Sequence, residues 1–383
     1  MFFRPWLLSL LFVACNFNAI AQSQSVQFIN WKKVGEFPAK NGIAAIGLAG
    51  QSAGVNGGYL IVAGGTNFPE KFPWEGGKKV YYDDVFLFRK QSNGMLNFSG
   101  GHKLPMNLGY AATAITEKGL VLAGGENETG ILSKVMILHV VKGNEEISFL
   151  PDLPLPMTNA MAVAYKSCIY LIGGETASHI SDKVFVLDLD DTKKGWKTLP
   201  SIPRPITHAV GVFIDQEQAK GIYIFGGRCK QPKGISDLYS SNYFFDIEQE
   251  KWVEKKPLPY ALSAGTGLGT LAGEVFLFGG DKGETFHQVE KIIAEKARET
   301  NPGLIEMLDK KRIALQSTHP GFSNDILCYD SKLDSWTVAG RLTFPTPVTT
   351  HAFLWDNCIF IPGGEIRAGV RTPDIFSAEL LKK

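Results

Sequence analysis

The chain has 383 residues, of which 44% are hydrophobic and 20% charged, enough apolar material for a large core. Its 39 basic residues nearly cancel its 38 acidic ones and form no basic stripe, which excludes nucleic acid or anionic lipid drawn in by a long-range field. The 41 glycines and 20 prolines exclude a helical protein and point to many short strands joined by turns.

In chain order, residues 1–21 read as a signal peptide. Arg4 supplies the positive end, Trp6 to Ala14 the apolar stretch, and Ala19-Ile20-Ala21 a small-x-small cleavage site before Gln22. The stretch is too short for a membrane span. It predicts export to the periplasm, with residues 22–383 as one mature domain. The rival reading is a lipoprotein signal tethered through Cys15, for which Phe12 is an awkward fit.

Six apolar runs ending in Gly-Gly follow, at Gly64-Gly65, Gly124-Gly125, Gly173-Gly174, Gly226-Gly227, Gly279-Gly280 and Gly363-Gly364. Successive pairs are 60, 49, 53, 53 and 84 residues apart. A period near fifty with four short strands per unit is the Kelch repeat. Around each pair lie a small-residue strand upstream and a strand often led by Asp downstream. Several units then close with a tryptophan strand, at Trp196, Trp252 and Trp336. The last unit has no tryptophan strand, whereas SVQFINWKKVGEFP near the mature N-terminus is one with no blade before it. Joining the two predicts a six-bladed Kelch-type β-propeller, all-β, whose last blade is closed by the N-terminal strand.

The longest step contains an insertion over about 284–321, in blade five. It places Val289, Ile292, Ile293 and Ala297 on one helical face, and a second run offers Leu304, Leu308 and Ile313. A segment this long predicts a wall or lid over the central opening. Cys168 and Cys358 occupy the same place in two repeats, which predicts free cysteines buried in the core on equivalent strands far apart, not a disulfide between them.

No nucleophile elbow, H-E-x-x-H or P-loop is present. His208 and His351 head what look like equivalent strands, so they read as repeat features before ligands. No metal or cofactor is expected. The loops after each Gly-Gly should emerge on one face and carry Thr66-Asn67, Glu126-Asn127, Glu175, Arg228, Asp281 and Glu365. Such a ring suits a small sugar. The loop from Gly364 to Thr372 is the richest, with Glu365, Arg367 and Arg371. By pattern alone, a surface salt bridge explains it equally well.

GEIRAGVRT at this loop resembles the catalytic segment of the N-acetylneuraminate epimerases, also called sialic acid mutarotases, which are exported six-bladed Kelch propellers. GGTNFPEKFPWEGGKKVYYDDVFLF and the helical insertion also have counterparts there. The blade order is cyclically permuted, placing the catalytic loop near the C-terminus instead of mid-chain. The resemblance implies an isomerase with Glu365 taking the proton of the anomeric hydroxyl and Arg371 binding the substrate carboxylate or stabilising charge. Arg228 is a second candidate for the carboxylate. Arg371 beside it is expected to keep Glu365 ionised. The substrate implied is a small sugar acid. The competing readings are the same chemistry or glycoside processing on another sugar, and a non-catalytic module binding glycan or protein.

Overall fold

A computed structural model describes residues 27–381 other than 40, 41, 43, 218 and 233, so the signal-peptide reading and Cys15 lie outside the described residues. Six four-stranded antiparallel sheets surround a central axis. Blades 1 to 5 run consecutively along the chain, and their first strands are Ser52–Asn56, Ala112–Thr116, Met161–Tyr165, Val210–Ile214 and Thr266–Gly269. Blade 6 takes Phe353–Trp355, Cys358–Pro362 and Asp374–Leu381 from the C-terminus and its outer strand, Gln27–Glu36, from the N-terminus. Lys33 pairs with Phe376 and Glu36 with Asp374 across that closing seam. Closure covers the edge that Asp374–Leu381 would otherwise present.

The second strand of each blade is mostly apolar and buried, wholly so in Tyr59–Ala63 and Gly221–Phe225, because sheets pack against both of its faces. The outer tryptophans reach back to the preceding blade: Nε1 of Trp196 donates to the Pro151 carbonyl at 2.9 Å and that of Trp252 to Pro200 at 2.9 Å. Trp31, on the N-terminal strand, packs edge-on against Phe278 and Phe344 of the blade 5 region.

Five of the six Gly-Gly pairs stitch their blade to the next through a backbone hydrogen bond. The Gly227 N–H donates to the Leu262 carbonyl at 2.8 Å, and a Cβ on Gly226 would sit 2.2 Å from that same oxygen. Gly226 also has φ +64, so both space and backbone conformation demand glycine. The same bond recurs from Gly65 to Leu108, Gly125 to Met157, Gly174 to Ile206 and Gly364 to Leu48, the last joining blade 6 to the segment entering blade 1.

A second circle of bonds lies at the axis. Gly50 donates its N–H to Thr349, Thr349 to Ala264, Ala264 to His208, His208 to Asn159, Asn159 to Tyr110, and Tyr110 back to Gly50. All six residues have positive φ, one per blade. Held this way, they form a closed ring of backbone around the channel.

The insertion is helical, as the periodicity predicts: α1 spans Glu284–Lys296 and α2 Pro302–Ser317. Asn301 caps α2, its side chain accepting from the N–H groups of Gly303 and Leu304, with Pro302 at the first position. The buried face is narrower than predicted. Ile292 and Leu308 are covered, but Ile293 is 52% and Leu304 43% exposed, because the helices lie on the rim with one side against the protein. All four described cysteines are free, and Cys168 and Cys358 open equivalent second strands of opposite blades, but they are half-buried at the strand ends instead of lying in the core. Among the described residues, no helix is long and apolar enough to cross a membrane.

Candidate active site

A cavity of about 530 Å³ opens on the face where the post-glycine loops emerge. Its floor is the backbone ring, from which Tyr110, Asn159, His208 and Thr349 line it. The residue before each ring position bridges to the first residue after Gly-Gly: Ala49 to Thr66, Gly109 to Glu126, Thr158 to Glu175, Thr207 to Arg228, Ser263 to Asp281 and Val348 to Glu365. This register places the six post-glycine residues at equivalent points around the axis. The carboxylates of Glu126, Glu175, Asp281 and Glu365 and the guanidinium of Arg228 therefore converge on one cavity.

Glu365 and Arg371 are direct cross-strand partners in a hairpin of Glu365–Arg367 with Val370–Arg371. Gly369 makes the turn at φ +68, and its N–H donates to Glu365 Oε1 at 3.2 Å. Arg371 Nε and Nη2 both lie 3.4 Å from Glu365 Oε2. Arg371 is almost fully buried: its side chain is 1% exposed, against 23% for Glu365. Of its other three N–H groups, one on Nη1 goes to Thr66 Oγ1 at 2.8 Å and one on Nη2 to Tyr110 OH at 3.2 Å, and the guanidinium lies over Phe68. Its charged partner is Glu365. Burial pushes the Glu365 carboxyl above its ordinary range, outweighing Arg371, the Gly369 N–H and Lys79, which all pull it down. Arg371 favours the ionised carboxylate, as expected, but desolvation is the larger effect.

Arg228 stands in blade 4. Its Nη2 bonds the Nε2 of His208 at 3.2 Å, and its plane lies over Phe286 of α1. Burial lowers its proton affinity, offset in part by Asp281 and Glu175. A guanidinium has no acceptor, so His208 Nε2 accepts, and its Nδ1–H faces Thr207 Oγ1 at 3.1 Å, which in turn donates to the Asn159 carbonyl at 2.9 Å. Burial and Arg228 hold His208 well below the usual histidine range. With a neutral ring as its partner, Arg228 keeps its charge for a ligand.

His208 and His351 are not equivalent, contrary to the sequence reading. The ring position in blade 6 is Thr349, and His351 lies two residues further along, with Nδ1 against the Gln51 carbonyl at 3.1 Å. The Thr-His-Ala segments coincide in letters but not in register. Among the described residues, no group of three or more histidine, cysteine or acidic side chains is placed to hold a metal ion.

Residues that sequence reasoning missed complete the wall. Lys79 bonds Glu126 at 2.9 Å and lies over the Tyr110 ring, and Tyr81 donates to the same carboxylate at 2.8 Å. Burial lowers Lys79, yet Tyr110, Glu126 and Tyr81 together leave it above its ordinary value. Phe286 and Val289 of α1, Gln316 of α2, and His319 and Phe322 beyond it form the opposite side. Glu290 fixes α1 to blade 4 by accepting from the Ser236 N–H at 2.8 Å and hydroxyl at 2.6 Å. The insertion is thus a wall of the cavity.

Fold and site together define a six-bladed Kelch-type propeller with a small polar cavity built around a glutamate–arginine hairpin. The family model described as N-acetylneuraminate epimerase matches residues 150–383, more than half of the chain. The chain belongs to that family. It is 32% identical over 111 residues to the N-acetylneuraminate epimerase of Haemophilus influenzae (strain 86-028NP), covering 27% of this chain and 28% of the relative. It is 25% identical over 159 residues to N-acetylneuraminate epimerase 1 of Escherichia coli O6:H1, covering 42% of each chain. To the Vibrio cholerae N-acetylneuraminate epimerase it is 22% identical over 157 residues, 40% of this chain and 41% of the relative. The chain thus matches less than half the length of each of these relatives.

Proposed function

We propose that this protein is a mutarotase interconverting the α and β anomers of N-acetylneuraminate, with Glu365 as proton acceptor. The observation that carries this reading is the hairpin that holds Glu365 at the cavity, backed by a buried arginine it shares with no external group. Ring opening requires a base for the anomeric hydroxyl proton. A carboxyl raised by burial suits that task, since it binds and releases a proton closer to neutrality than an exposed one. Arg371 positions Glu365 and stabilises its charge. The carboxylate of the sugar acid is assigned to Arg228, across the cavity, whose charge is not consumed by its histidine partner. Family membership and the relatives' names support the substrate class.

The test is equilibration of freshly released α-N-acetylneuraminate, followed by NMR of the anomeric signals. Acceleration by the purified protein is expected. Acceleration of an aldose but not of the sugar acid would move the assignment to another sugar, and no acceleration of either would leave a binding module. We further propose that residues 1–21 direct export to the periplasm with cleavage after Ala21; N-terminal sequencing should begin at Gln22, whereas a lipid on Cys15 would contradict it.

A further inference from the structure

Opening a pyranose ring needs a second proton movement besides the one assigned to Glu365: the ring oxygen must gain a proton as its bond to the anomeric carbon breaks. Several cavity groups are unsuited to supply it. Neutral His208 has its only hydrogen directed at Thr207. Lys79 is paired to Glu126, which also takes the Tyr81 hydroxyl. Asp281 accepts from the Gly283 N–H at 2.7 Å.

Tyr110 differs. Its phenol oxygen accepts from Arg371 Nη2 at 3.2 Å and lies 3.1 Å from Thr66 Oγ1, whose single hydrogen is shared between that oxygen and the Ala49 carbonyl, also 3.1 Å away. When the Thr66 hydrogen turns to Tyr110, both neighbours use the oxygen's lone pairs and the phenol hydrogen is free to face the cavity that Tyr110 lines. One guanidinium nitrogen, Arg371 Nη2, donates to both Tyr110 OH and Glu365 Oε2. The ammonium of Lys79 lies 4.9 Å over the tyrosine ring. Two cations therefore stand ready to stabilise a phenolate. The ring's place is fixed: the Tyr110 backbone belongs to the floor ring at φ 56, and its Cδ1 would lie 2.5 Å from any Cβ on Gly50.

Resting on the function proposed above, we infer that Tyr110 is the catalytic acid that delivers a proton to the ring oxygen of the sugar while Glu365 removes the anomeric proton. The bond between ring oxygen and anomeric carbon breaks, the phenol proton passes to that oxygen, and the anomeric hydroxyl loses its proton to Glu365. The products are an open-chain ketone, a phenolate and a neutral carboxyl. Closure on the other face of the carbonyl returns both protons, so nothing is oxidised or reduced.

The test compares Tyr110→Phe, Thr66→Val and His319→Gln with wild type by anomer-exchange NMR, with folding checked by thermal melting. His319 is included because its Nδ1 accepts from the Gly321 N–H, leaving a hydrogen on Nε2. Tyr110→Phe should lower kcat about 100-fold with KM near wild type. Thr66→Val removes another anchor of Arg371 but no acid, so its loss should be under about tenfold, and His319→Gln, which alters the cavity wall but removes no acid under this inference, should also lose less than Tyr110→Phe. Equal losses in Tyr110→Phe and Thr66→Val reduce Tyr110 to a support for Arg371 and overturn the inference. A large loss in His319→Gln alone also overturns it by assigning the acid to the insertion. Should Tyr110→Phe not fold, 3-fluorotyrosine at position 110 keeps these bonds but makes a stronger acid. It should change kcat severalfold, and an unchanged kcat refutes the inference. A wild type inactive on the sugar acid refutes the underlying reading of function instead, a failure visible before any variant is made.

Discussion

Arg228 Nη2 bonds His208 Nε2 at 3.2 Å, and this one contact fixes the histidine tautomer and aligns the guanidinium without consuming its charge. Removing the fork while keeping the charge should therefore weaken binding more than turnover. Arg228→Lys is expected to raise KM about 10- to 100-fold, the range for loss of a charged hydrogen bond, with kcat changed less than about threefold. Steady-state kinetics measure it. A large fall in kcat at constant KM would contradict the assignment of Arg228 to the substrate carboxylate.

Gly369 turns the hairpin that pairs Glu365 with Arg371. At φ +68, with Pro73 Cδ 3.1 Å and Trp74 3.2 Å from where a Cβ would sit, it tolerates no side chain without displacement. Gly369→Ala should cost about 1–2 kcal/mol of stability and lower activity at least tenfold by moving the N–H that binds Glu365. Denaturant melts and rates on one sample separate the two effects.

Two histidines set the response of stability to acid. Burial holds His208 well below 6.5 and His351 at about 4, so the folded state refuses protons that the unfolded chain takes up below about 6.5. Their contribution is present above that pH and is lost as pH falls toward 4. Each adds a slope of up to ~1.4 kcal/mol per pH unit in that window. Melting temperature should drop from pH 7 to pH 5, and His351→Gln, which keeps a donor for the Gln51 carbonyl, should make the drop shallower.

Acid also lowers activity, through Glu365. A base must be ionised, and burial raises this carboxyl above its ordinary 4.5. The rate should fall as pH falls through a midpoint above 4.5. Lys79 pulls the carboxyl down, so Lys79→Met should move the acid limb to higher pH. A midpoint at or below 4.5 in the kcat–pH profile would show that desolvation does not dominate.

Much of this was legible in the sequence. Gly-Gly at the end of an apolar strand is required wherever a neighbouring carbonyl approaches as Leu262 approaches Gly226, so the dipeptide marks blades with little ambiguity. Five intervening residues that include a glycine turn also suffice to bring Glu365 opposite Arg371. Tyr110, Lys79 and His208 were not legible as partners of that pair. They reach the cavity through the axial ring and a long blade 1 loop, and ring positions vary in type from Gly50 to Tyr110 to Thr349, so no shared letter betrays them. His351 illustrates the risk: the same three letters as at His208 fall two residues out of register. A residue aligned by its distance to the bridged post-glycine position, not by its letters, would have found the ring.

The central claim is that Glu365 exchanges a proton with the anomeric hydroxyl. The most direct measurement is the rate of α-to-β conversion of N-acetylneuraminate by anomeric NMR with wild type and Glu365→Gln at equal concentration. Wild type should exceed the uncatalysed rate, and Glu365→Gln, folded by its melting curve, should fall to within about 1% of the wild-type increment. A Glu365→Gln rate equal to wild type would contradict the account.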